Sequence, residues 1–310
     1  MDKLVLRLKK VPGLYTLAAI GRALYSVVRF RSLKTVLFSP PGHYYSPLPS
    51  LKEVRAGRRG TLGQGTELRA VDLRPSGQLE LLARFAEHYG ELPFADEPVR
   101  GLRYHFSNQY FRHADAIILY SVLRHFRPAR VVEVGSGFSS AVMLDTDDGF
   151  LGQSIRFTFV EPFPGRLRRL MWEGDEARCR IVAKPVQEVS PEIFTDLDRN
   201  DVLFVDSSHV AKVGSDVCHL IFQVLPALRP GVLVHFHDVF WPFEYPRQWV
   251  LEGRAWNEAY LLRAFLQYNQ TFEILYFNSY MGSCQAEEVG AKLPLCLKDT
   301  GGSLWLRKKR

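Results

Sequence analysis

The chain has 310 residues, 46% hydrophobic and 13% aromatic, enough apolar mass for a packed core and too much for a disordered or fibrous chain. The formal net charge is +7, but residues 1–60 hold twelve Lys/Arg against two Asp/Glu, a local +10 that leaves the rest at −3. A basic nucleic-acid-reading face is therefore not expected on the main body, and four scattered cysteines without a CxxC pair (Cys179, Cys218, Cys284, Cys296) exclude a disulfide frame and suit a reducing, cytoplasmic setting.

The first segment, residues 1–60, is a basic arm followed by a proline-rich loop. Its apolar run VPGLYTLAAIGRALYSVVRF is interrupted by Pro12, Gly13 and Arg22, so it falls short of a membrane span, and no small-residue cleavage site follows it. It is expected as a helical extension, packed on the body or on a second copy of the chain, or lying on an anionic membrane as a peripheral contact. SPPGHYYSPLPS at 39–50 is too proline-rich for regular structure, and AGRRGTLGQGT at 56–66 is a glycine-rich break. A helical cap region is expected over 61–125. It contains one helix at 76–90, with Ser76 as its cap and Gly90 as its stop, and a second at about 112–126.

From 126 to 310, strands and helices alternate, the pattern of a parallel sheet with crossover helices and hence of an α/β fold. Candidate strands are 130–134, 155–160, 179–183, 201–205 and 231–236, with a final pair at 272–277 and 303–306. The first strand runs into VVEVGSGFSS at 131–140. A β-branched run breaks at Gly135-Ser136-Gly137 and small residues follow, which predicts a strand, a tight turn and a helix start. In open α/β sheets a nucleotide-like cofactor binds at this place. Glu133, just before the turn, would repel a diphosphate and suits a cationic ligand such as S-adenosylmethionine. Glu161 ends the second strand 24 positions beyond Gly137, where a carboxylate would take both ribose hydroxyls.

These residues resemble the class I S-adenosylmethionine-dependent methyltransferases, and more narrowly the methyltransferase-24-like group with its sugar and natural-product O-methyltransferases. EVGSGFSS, FVEPFP, DVLFVDSSHV, LPALRPGVLVHFHDVF and GGSLWLRK carry the resemblance in order, over roughly residues 115–310. It implies a Rossmann-like, seven-stranded, mostly parallel sheet with helices on both faces and the last strand antiparallel. It places the cofactor on Glu133, Gly135, Ser136, Gly137, Ser139, Glu161, Gln187 and Asp206. In the metal-dependent members one acid ends the fourth strand and a ligand pair ends the fifth, here Asp206 and then His237 with Asp238. His237 departs from the usual acidic or amide ligand and would favour Mn²⁺ or Fe²⁺ over Mg²⁺. His209 occupies the slot of a general base, with Asp206 beside it.

The expected function is metal-assisted O-methylation of a small polar acceptor. The alternatives are a non-methylating metal enzyme on the same fold and a membrane- or complex-associated binding protein.

Overall fold

The computed structural model describes residues 38–57 and 68–310. The chain divides into two compact units, residues 1–61 and 62–310. The basic helical extension expected over residues 1–37 and the centre of the glycine-rich break lie outside the described residues. In the first unit, turns over 38–50 lead into a short helix α1 (Leu51–Ala56), capped by the Ser50 hydroxyl and closed by Gly57 at φ 62°. Pro40, Pro41 and Pro47 keep this stretch out of regular structure, and His43 and Tyr44 stack their rings at 4.2 Å.

The second unit is built on seven strands: β1 (Arg130–Val134), β2 (Arg156–Val160), β3 (Cys179–Val182), β4 (Val202–Val205), β5 (Leu233–Phe236), β6 (Phe272–Phe277) and β7 (Leu304–Lys308). Their order across the sheet is β3-β2-β1-β4-β5-β7-β6, parallel except for β7, which pairs antiparallel with both neighbours. This is the Rossmann-like sheet implied by the motifs. The central strands are buried on both faces, so they read as continuous apolar runs rather than alternating ones. Asp201 ties the N-terminal edge together, accepting from the Ala129 and Arg130 amides at 3.0 and 2.8 Å.

The helices of the 61–125 region belong to this same unit. Helix α2 (Pro75–Tyr89) starts at Pro75, with no side-chain cap at its entry; Ser76, expected as the cap, falls inside the first turn. Proline at a first helical position has its φ preset and loses no hydrogen bond, so it decides the start. Gln78 of α2 is buried and accepts from the Phe277 amide at 2.8 Å, fixing α2 to β6. Helix α3 (His113–Phe126) is buried around most of its circumference, as its apolar sequence requires. Buried carboxylates also cross-link the unit. Arg103, with its side chain almost wholly enclosed, pairs with Asp145 and Asp175 at 2.8 and 2.7 Å and stacks on Trp172.

Among the described residues no helix is long and apolar enough to cross a membrane.

Candidate active site at the carboxyl edge of the sheet

The strand registers bring the site together. Val134 stands beside Val160 and Val205, and Val205 beside Phe236. Each strand therefore ends at the same level, and the next residues, Gly135, Glu161, Asp206 and His237, emerge on one edge. Backbone bonds continue the ladder by one step: Gly135 to Val160 at 3.0 Å, Asp206 to Val134 at 2.8 Å, and His237 to Val205 at 2.9 Å. Beyond this edge lies a cleft of about 400 Å³, lined by Gly135, Glu161, Pro185, Gln187, Asp206 and Ser208 among others. A larger depression of about 560 Å³ near β6 lies away from these strand ends, and its opposite charges, Arg74 and Glu273, pair with each other at 3.1 Å.

Gly135 has φ 83°, and a Cβ there would run into the Asp206 carbonyl. Only glycine allows this turn beside β4. Helix α4 (Phe138–Thr146) follows. Glu161 accepts from the Ser136 amide at 3.2 Å and from the Phe163 amide at 2.8 Å, which aims its carboxylate at the turn and leaves lone pairs for a ligand. The Ser136 hydroxyl is buried there without a partner. A glycine that no side chain can replace, an oriented carboxylate and an orphaned hydroxyl fit the adenosyl group expected from the sequence. Gln187 also lines the cleft, but its amide donates to the Gly214 carbonyl at 2.8 Å.

Glu133 and Ser139 differ from expectation. Glu133 is fully buried, and its two oxygens accept from the Ser139 and Ser140 hydroxyls. The Gly137 amide donates to Ser140 at 3.0 Å and completes the chain. On β1 the side chain of Glu133 faces helix α4, not the cleft, so these residues brace the turn from behind instead of meeting a cationic ligand. Burial pushes the Glu133 carboxyl up to about 8.

The loop after β4 places a histidine among three carboxylates. His209 is buried and held from several sides. Its Nδ1–H donates to Glu258 at 2.9 Å, and Ser207 donates to the other Glu258 oxygen at 3.0 Å. The ring lies 4.3 Å from Trp256. The amides of Asn257 and Glu258 both donate to the His209 carbonyl, at 3.0 and 3.2 Å. These residues open helix α6 (Glu258–Leu266); a short helix α5 (Gly165–Leu170) lies earlier in the chain, after β2. Nε2 is thereby directed between two carboxylates, 3.4 Å from Asp206 and 3.7 Å from Asp238. His209 and Asp238 both take positive φ, 59° and 56°, a strained state for non-glycine residues that accumulates at functional edges.

Glu258 is the partner that the sequence reading missed. It lies 49 positions from His209, and in WNEAYLL it looks like an ordinary first-turn acid of a helix.

The electrostatics follow from this packing. Burial lowers the His209 imidazole, but its bonds to Asp206 and Glu258 outweigh that and lift it to about 10. Burial raises Asp206, yet the facing His237, His209 and Arg166 charges hold it below the ordinary carboxylate range. For His237, burial works against the Asp238, Asp206 and Asp115 carboxylates, which win and raise it.

Asp206, His237 and Asp238 were expected to form a metal-ligand set. Among the described residues no three acid, histidine or cysteine donors converge on one point. His237 is recessed, with its Nε2 3.6 Å from Asp238 and its Nδ1 buried without a partner. His209 takes the place between Asp206 and Asp238 that an ion would need. As arranged, these donors do not fit a divalent metal.

The chain is similar to known proteins over this part of the sheet. A family model described as a methyltransferase domain matches residues 132–239. An uncharacterized protein of Archaeoglobus fulgidus is 33% identical over 168 residues, which covers 52% of this chain and 74% of the relative. Among solved structures, a Podospora anserina methyltransferase bound to S-adenosylhomocysteine shares 15% identity with a TM-score of 0.41, over 76% of this chain and 89% of the other. The O-methyltransferase TomG of Streptomyces achromogenes, in complex with S-adenosylmethionine, shares 16% with a TM-score of 0.36, over 77% and 92%. These two likenesses are remote.

Proposed function

Since the chain belongs to the class I S-adenosylmethionine-dependent methyltransferases, we propose that it methylates a hydroxyl of a small polar acceptor, a sugar or a natural product. The observation that carries this reading is the Glu258–His209 pair, aimed at the carboxyl edge of the sheet between Asp206 and Asp238. Bound S-adenosylmethionine supplies a methyl group on a positively charged sulfur.

The protein's part is to hold and deprotonate. Glu161 takes the ribose hydroxyls. Asp206 and Asp238 give the acceptor hydroxyl a polar, negatively charged edge against which to lie. His209 Nε2 takes the proton as the acceptor oxygen bonds to the methyl carbon and the carbon–sulfur bond breaks. Glu258 keeps Nδ1 protonated, so Nε2 is the basic nitrogen of the neutral ring. Before the donor binds the imidazole carries a proton, held there by Asp206 and Glu258. With His209 Nε2 3.4 Å from Asp206 at the edge of the cleft, the ring would be moved toward neutrality by a positive charge bound there. Most of the rate gain would come from fixing two reactants in line.

The site is proposed to work in the cytoplasm. The basic N-terminal arm is proposed to touch an anionic membrane or a second copy. No step is routed through a metal, since the donors as arranged do not fit one.

The test is formation of S-adenosylhomocysteine with a panel of sugar and natural-product acceptors. His209→Gln should lose about 10²–10⁴-fold in turnover, the usual worth of a positioned base. Glu258→Gln should lose about 10–10²-fold, the usual worth of a residue that orients another. Full turnover by His209→Gln would remove the base assignment, and no S-adenosylhomocysteine with any acceptor would remove the activity.

A further inference from the structure

Arg166 is the arginine that reaches the glycine turn. Arg168, two positions on, pairs with Glu176 at 3.2 Å, and Arg178 pairs with Asp148 at 2.7 Å. Among the described residues no carboxylate lies within ion-pair distance of Arg166, yet its side chain is not left loose. Its guanidinium stacks 4.2 Å from the centre of the Tyr110 ring, and Tyr110 is stacked in turn on Phe138 with the planes 16° apart. This holds the arginine over the glycine turn. A Cβ at Gly137 would sit 3.3 Å from its Cδ and 3.8 Å from its Nη1. Its charge also acts on Asp206 across the same edge.

The cleft gives this placement a purpose. Glu161, with Pro185 and Gln187 beyond it, lines the side of the cleft proposed for the ribose and base. The amino-acid end of the donor must then run the other way, over Gly135–Gly137 toward Asp206. That end carries a carboxylate, which Glu161 and Asp206 beside the turn repel; Lys212 also lines the cleft, but on the loop whose Gly214 carbonyl binds Gln187, away from the turn, so Arg166 is the cation at the turn. We propose that Arg166, braced by Tyr110, binds the α-carboxylate of the methyl donor and so selects the intact amino-acid end. The inference rests on the donor being S-adenosylmethionine. A planar guanidinium meets a carboxylate with two parallel N–H bonds, and a ring that fixes its plane lowers the cost of ordering it.

The experiment is a calorimetric cycle on the full chain with S-adenosylmethionine and its decarboxylated form, which lacks only the carboxylate. The wild type should prefer the intact donor by about 10–10²-fold, the range of a charge-assisted bond. Arg166→Met should lose that preference by weakening the intact donor alone. Tyr110→Leu should lose part of it and leaves the charge in place, so it separates the brace from the cation. If Arg166→Met weakens both ligands alike, or neither, the assignment is overturned. A wild type that binds both forms without preference also overturns it, while the cofactor reading stands. A wild type that binds neither overturns the cofactor reading itself, and this inference with it.

Discussion

Glu133 shows how a single residue can be identified by its sequence position and still be given the wrong task. It precedes the glycine turn, as an acid that meets a cationic ligand would, but the pleat of β1 turns it to the helix side, where Ser139 and Ser140 take both its oxygens. The carboxyl is lifted from 4.5 to about 8, so the folded state binds a proton there that the unfolded chain has released. Stability from this group is therefore present below about pH 4.5 and is lost as pH rises through about 8. Glu133→Gln imitates the protonated form, with one acceptor and one donor for the two serines. Urea melts of the variant should show a flatter fall in stability between pH 5 and 8 than the wild type, on the order of the window's width in pH. An unchanged slope would mean that the serine bonds keep Glu133 ionised. Asp115, buried and raised to about 6, adds a fall of the same sign at lower pH that the variant leaves in place.

Among elements, the loop after β4 depends on a helix far along the chain. Asn257 binds Ala211 through both ends of its amide, accepting from the Ala211 amide at 2.6 Å and donating to its carbonyl at 3.2 Å. Asn257→Ala should cost about 1–3 kcal/mol, two ordinary hydrogen bonds. Turnover should fall by a larger factor than S-adenosylhomocysteine affinity, because the loop positions His209, while Gly135, Glu161 and Gln187 on other strand ends line the rest of the cleft. Equal losses in turnover and affinity would contradict this division of labour.

The strands were legible because β-branched and aromatic runs bounded by Gly, Pro and Asp have little choice when both faces are buried. Expected and observed bounds agree for 130–134 and 272–277. The strand-tip residues Gly135, Glu161, Asp206 and His237 were legible for the same reason, since a strand end fixes its next residue in space. Glu258 and Arg166 were not. Both reach the site through side-chain packing across non-adjacent elements, and neither WNEAYLL nor PFPGRLRR has a local pattern that says so. The metal set failed for a related reason. Residue type and strand position suit ligands, but the His209 imidazole lies between Asp206 and Asp238, 3.4 and 3.7 Å from them.

For the whole molecule, the sheet, its helices and the cleft all lie within residues 62–310, which form one compact unit with a continuous apolar core. A chain of residues 62–310 should therefore melt cooperatively and bind S-adenosylhomocysteine within a few-fold of the full chain. The local +10 of residues 1–60 predicts a different loss. The full chain should sediment with anionic vesicles at low salt, each nearby basic residue adding about 1 kcal/mol, and the shorter chain should not. Vesicle binding by the shorter chain, or none by either, would dismiss the arm as a membrane contact.

The placement of β7 between β5 and β6 has a consequence for how the protein is made. During synthesis, β1 to β5 can assemble as soon as they leave the ribosome, but β5 then has an open, apolar edge. β6 emerges next and cannot close it, because its place is one strand further out. The edge stays available to other nascent chains until Leu304–Lys308 slides in antiparallel and joins the two. A polypeptide interrupted anywhere after residue 236 and before 304 thus leaves a sticky five-stranded product. Cellular quality control, more than catalysis, would be the first to notice a stop codon there.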